Sequence, residues 1–128
     1  MNVPDGELLN GVHVLIVEDD IGVRCSLSGV LVLAGAVVTA TSASGIEQTA
    51  LIADVIVCGL TTVEAAEAGF LDRLRRQHAR GHGDVPVLAL LPPGVSEARA
   101  RATGFQHYLT RPVSSDSLGR MVWVLSRR

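Results

Sequence analysis

Short unbroken apolar runs alternate along this chain with stretches whose apolar positions recur every three or four residues. Four of the runs are strand-length: Val12-His13-Val14-Leu15-Ile16-Val17, 36–41, Ala53-Asp54-Val55-Ile56-Val57-Cys58-Gly59-Leu60, and 85–91. Continuous apolarity at that length, rich in β-branched residues, predicts strands buried on both faces of a parallel sheet. A fifth strand is predicted over 106–110. Between the strands the period changes. Val23, Leu27, Val30, Leu31 and Ala34 form the core face of a helix over 21–34, with Asp19 or Asp20 as its cap and Gly35 as its end. Further helices are predicted over 44–52, 64–76, 96–103 and 115–125. In the last of these, Leu118, Met121, Val122 and Leu125 share one face. Strands and helices alternating over short loops specify a doubly wound α/β fold, a parallel sheet between two helical layers. Residues 1–11, interrupted by Pro4, Gly6 and Gly11, read as a tail or linker, and 12–128 as one domain.

Composition narrows the function. A 48% hydrophobic content over 128 residues supplies a full core for one domain. A net charge of −2 gives no basic field for nucleic acid, and Arg73, Arg75, Arg76 and Arg80 read as a solvated helix face. No apolar run reaches membrane-spanning length, and the polar N-terminus lacks a signal-peptide pattern, so a cytoplasmic location is expected. Cys25 and Cys58 both lie among apolar residues and read as reduced core or near-core thiols. His13, His78, His82 and His107 have no ligand spacing.

Candidate chemistry gathers where strands one and three end. In open α/β sheets ligands bind beyond the carboxyl ends of the strands. The first strand runs into Glu18-Asp19-Asp20; if the third is its neighbour, Gly59 lies beside Glu18 and Asp19. That acidic pair has two readings: a residual divalent-metal site, or helix capping combined with an ion pair to Arg111. The second is preferred, because a hard cation needs more oxygen ligands than two carboxylates supply. For Arg111 itself, an ion pair to Asp19 is preferred over an anion site.

The chain resembles the receiver domain of bacterial two-component response regulators over about residues 9–126. The resemblance rests on Val14-Leu15-Ile16-Val17-Glu18-Asp19-Asp20, on the strand ending at Gly59-Leu60, and on Tyr108-Leu109-Thr110-Arg111-Pro112, in that order and spacing. It implies the flavodoxin-like sheet order 2-1-3-4-5. Leu9-Asn10-Gly11-Val12-His13-Val14-Leu15 and the 104–113 segment are similar to the receivers at the C-terminal end of hybrid sensor histidine kinases.

What the resemblance implies about chemistry, this chain only partly retains. In the family a carboxylate nucleophile at the end of strand three takes a phosphoryl group from a kinase phosphohistidine, and Mg²⁺ sits between it and the acidic pair. A hydroxyl residue and a lysine bind the phosphoryl oxygens. Here the acidic pair is Glu18 and Asp19, the nucleophile position holds Gly59, the hydroxyl position Leu91 and the lysine position Arg111, while Tyr108 keeps the aromatic switch position. Glycine offers nothing to phosphorylate, and strand alternation turns Cys58 to the opposite face. The resemblance therefore implies a degenerate receiver, not an enzyme, needing no cofactor and binding Mg²⁺ weakly if at all. Its partner is expected to be a histidine kinase or an output domain, and a homodimer is possible. A working relay domain with an unconventional acceptor, or the C-terminal regulatory domain of a hybrid kinase, are the alternatives. A small-ligand binder is disfavoured, since no phosphate-binding loop follows strand one.

Two surfaces are candidate interfaces. Cys25, Ser28, Gly29 and Val32 form a small-residue face on the first helix, which in the family meets the kinase's helical domain. Trp123 falls roughly 150° from the centre of the last helix's core face, so its ring is expected to point outward.

Overall fold

The computed structural model describes residues 8–42, 53–59, 85–103 and 105–127. They form β1 (His13–Val17), α1 (Ile21–Leu33), β2 (Val37–Thr41), β3 (Val55–Gly59), β4 (Val87–Leu91), α2 (Glu97–Thr103), β5 (His107–Thr110) and α3 (Ser115–Ser126). The five strands make one parallel sheet in the order β2-β1-β3-β4-β5. This is the doubly wound, flavodoxin-like order that the resemblance implies. The helices expected over 44–52 and 64–76, with Arg73, Arg75, Arg76, Arg80, His78 and His82, lie outside the described residues.

Both faces of the inner strands β1, β3 and β4 are buried, which explains their unbroken apolar runs, whereas the edge strand β2 is half-buried to exposed, with Val37 at 48%. Alternation sends Leu15, Val17, Ile56, Cys58, Ala89 and Leu91 to one face, where Ala100 and Phe105 cover them. It sends Val14, Ile16, Val55, Val57, Leu88 and Leu90 to the other, under Leu31 of α1 and Leu118, Val122 and Leu125 of α3. Each helix starts on a side-chain cap. Asp20 accepts from the Val23 N–H at 2.9 Å, Ser96 from Arg99 at 3.1 Å, and Ser114 from Ser117 at 3.1 Å. Gly35 closes α1 with a φ of +99°, a conformation that favours glycine.

Three expectations change. All five strands begin one or two residues later than the predicted runs do. At β3 the reason is visible, because the Asp54 carboxylate accepts from the His13 N–H at 2.9 Å and its side chain takes no part in the core. The stretch 1–11 is not all tail. Leu9 is fully buried on the α1/α3 face, and its N–H donates to the Ala34 carbonyl at 2.8 Å, so the domain begins no later than Leu8. Cys25 is exposed. It lies about 200° around α1 from Leu27, on the face away from the core, between Arg24 and Ser26.

Candidate functional site at the carboxyl end of the sheet

The strand register brings the chemistry-bearing residues together. Val17 pairs with Cys58, Gly59 with Leu90 and Leu91 with Thr110, so β1, β3, β4 and β5 end along one edge. The ladder continues one residue past β1, with the Glu18 N–H donating to the Thr41 carbonyl at 2.9 Å, and one past β5, with Arg111 donating to the Leu91 carbonyl at 2.9 Å. Both side chains therefore leave from backbone that is held by the sheet.

Glu18 is the one buried charged residue among those described, at 2% exposure. Its Oε1 accepts from Arg111 Nη2 at 2.9 Å, and its Oε2 accepts from the Asp20 N–H at 3.2 Å. Arg24 Nη1 donates to the Glu18 carbonyl at 3.1 Å. The ion pair expected at Asp19 is thus made to Glu18, whose longer, inward side chain reaches the guanidinium. Asp19 is exposed. Arg111 has an exposure of 26% at its side chain, and its Nε is buried with no hydrogen-bond partner among the described residues.

Gly59 lies directly beneath this pair. A Cβ built there would be in hard contact with Glu18 Oε1, 2.8 Å from Arg111 Nη2 and 2.9 Å from Glu18 Cδ. The space that a side chain at this position needs is filled by the ion pair. Cys58 turns away into the core, where burial first, and then the negative charges of Glu18 and Asp19, push its thiol up to about 12. It is protonated, and so poorly nucleophilic, at neutral pH. Leu91 is also in that core cluster, and only its carbonyl takes part at the edge. Tyr108 of β5 is half-buried against the same cluster beside Val95.

The remaining candidates lie elsewhere. A Cβ on Gly29 of α1 would meet open space, and Val32 is 55% exposed, so neither fills the groove beside β2. Trp123 points outward as its helical position requires, at 38% exposure, with the Arg127 guanidinium 5.2 Å from its ring centroid. Sequence reasoning missed the groove of about 380 Å³ between α1 and α3, floored by Val23, Leu27, Val30 and Leu118. The apolar periods of both helices contain its floor, but only their packing distance opens it.

No protein-family model matches the sequence, and no curated protein matches it. Solved structures do. A putative response regulator from Chloroflexus aurantiacus is 27% identical, with a TM-score of 0.73 over 91% of this chain and 98% of that one. The receiver domain of a Pseudomonas aeruginosa sensor histidine kinase, determined with a magnesium ion coordinated in its active site cleft, is 22% identical, with a TM-score of 0.71 over 92% of this chain and 99% of that one. A chemotaxis response regulator of Vibrio cholerae is 23% identical, with a TM-score of 0.64 over 89% of this chain and 98% of that one. Sheet order, helix placement and the extent of these matches agree: the chain has the fold of a response-regulator receiver domain.

Proposed function

We propose that this chain is a receiver domain of two-component signalling that lacks a phosphoacceptor and works by protein contact alone. The observation that carries this reading is Gly59 at the end of β3, a residue with no nucleophile, over which the Glu18–Arg111 ion pair stands where a side chain would lie. Two further features support it. Leu91, at the position where the resemblance implies a hydroxyl, sends an apolar side chain into the core on the Cys58 face and offers no donor to phosphoryl oxygens. Cys58, the thiol next to Gly59 in β3, is buried, faces away and stays protonated. Degenerate in this sense, the site has Gly59, Leu91 and Arg111 in the three phosphoryl-handling positions, with Glu18 and Asp19 as the retained acids.

The partner is a signalling protein, a histidine kinase or an output domain. Trp123 with Tyr108, and Gly29 with Val32, are the two candidate contact surfaces. Exposed aromatic and small-residue helical faces are the kinds of surface at which proteins meet. No helix among the described residues is long and apolar enough to cross a membrane.

Incubation with acetyl phosphate and Mg²⁺, followed by intact mass spectrometry, tests the reading. The mass is expected to stay unchanged. A phosphate adduct removed by hydroxylamine overturns it, since that lability identifies an acyl phosphate.

A further inference from the structure

The donor set at the carboxyl end of the sheet does not fit a divalent cation. Such a cation requires six or more oxygen ligands, with carboxylates free to turn toward it. Glu18 has one oxygen on Arg111 and the other on the Asp20 N–H, and position 59 supplies no carboxylate. Among the described residues no group of three or more His, Cys, Asp or Glu side chains could hold a metal. Yet a carboxylate at 2% exposure requires a counter-charge, because burying an uncompensated charge is costly.

We infer that the Arg111 guanidinium is the resident cation of this site, held over Gly59 so that it ties β5 to β1 in a metal-independent arrangement. The geometry has three interlocking parts. Arg111 starts from backbone fixed to β4, so its side chain has a defined origin. Its Nη2 reaches Oε1 of a carboxylate on β1, although β3 and β4 lie between the two strands in the sheet. The path between them is open only because residue 59 has no Cβ. A planar guanidinium is suited to this span, since it is less strongly hydrated than an ammonium and keeps its charge on burial. The tie acts at the end of the sheet where a bound metal would otherwise compensate the acids. It makes the arrangement of β5, and of Tyr108 on it, independent of divalent ions. This inference does not rest on the proposed lack of phosphorylation; either can fail alone.

The test is thermal and chemical denaturation of the whole chain in EDTA and in saturating MgCl₂, with ¹⁵N amide spectra in both. The unaltered protein is expected to melt at one temperature and to show the same Glu18, Asp19, Gly59 and Arg111 amide shifts in both conditions. Glu18→Gln and Arg111→Gln are each expected to lower the melting temperature, and the double variant to lose less than their sum. A coupling of about tenfold in the unfolding equilibrium is expected. Gly59→Ala is expected to lower stability and to abolish that coupling. Saturable Mg²⁺-dependent shifts in the unaltered protein, additive Glu18 and Arg111 effects, or a Gly59→Ala variant that keeps the coupling each overturn the inference. The spectra of the unaltered protein decide the matter even if every variant fails to fold.

Discussion

Arg111 Nη2 stands 2.9 Å from Glu18 Oε1, although the strands that lead to these residues, β5 and β1, are separated in the sheet by β3 and β4. An ion pair of that reach forms at the end of a sheet, where side chains can cross over neighbouring strands. It also needs a strand end beneath it that is bare. Gly59 meets that need, and its role is steric: the space above it is occupied.

Gly59→Asp is therefore not a simple restoration. The new carboxylate must displace Glu18 or Arg111, and it adds negative charge beside a buried acid. In EDTA this variant is expected to lose about 1–3 kcal/mol of stability, measured by urea unfolding. Added Mg²⁺ is expected to recover part of the loss, because Glu18, Asp19 and residue 59 then supply three carboxylates. Equal or greater stability in EDTA contradicts the steric account.

The two cysteines are expected to behave oppositely. Cys25 is exposed and reacts with a disulfide reagent in the native protein, whereas Cys58 reacts only after unfolding. The same burial sets a pH dependence. Below pH 9.0 the Cys58 thiol is protonated in both states; above it the unfolded chain loses the proton first, so stability falls as pH rises from 9.0 toward about 12. The slope reaches up to about 1.4 kcal/mol per pH unit. Urea titrations at alkaline pH should show this decline and should show it lessened in Cys58→Ala.

Leu9→Ala should destabilise by about 2–4 kcal/mol, the usual cost of emptying a fully buried leucine site. A change under about 0.5 kcal/mol, within the range of surface substitutions, would return residues 8–11 to a linker.

Trp123→Ala is expected to leave the urea midpoint nearly unchanged while weakening self-association or partner capture. The loss of the Arg127 contact costs about 0.5–1 kcal/mol at an exposed site. Sedimentation and binding to a candidate kinase domain provide the readouts. In dilute monomer the indole emission should be red-shifted and quenched by acrylamide; protected emission excludes the interface reading.

Gly29→Glu and Val32→Glu are expected to change stability by no more than about 0.5 kcal/mol, since neither position is packed. If α1 is a docking face, both lower partner affinity. A large fall in melting temperature for Val32→Glu contradicts the exposed position and removes the basis for that face.

The sheet was legible because burial on both faces writes itself as continuous apolarity, as in Val55-Ile56-Val57-Cys58. The cap Asp20 was legible because a short oxygen-bearing side chain before an apolar period has a local job. Residue contacts across the sheet were less so. Glu18 and Arg111 are 93 positions apart, and the choice between Glu18 and Asp19 turns on which carboxylate points inward. Leu9 escaped because the isolated pair Leu8-Leu9, set between Glu7 and Asn10, is too short to show a period. Cys25 misled for the opposite reason, sitting in an apolar segment yet on the outer side of its helix.

The crowding above Gly59 also constrains how such a site can change by single steps. An aspartate introduced first meets Glu18 and Arg111 already in place, so one of the two must shift to admit it. Arg111→Lys introduced first gives up the planar fork and frees space over β3, after which an acid at 59 can be accommodated. The order of the two substitutions therefore matters for stability, and Gly59→Asp made alone does not rebuild the site.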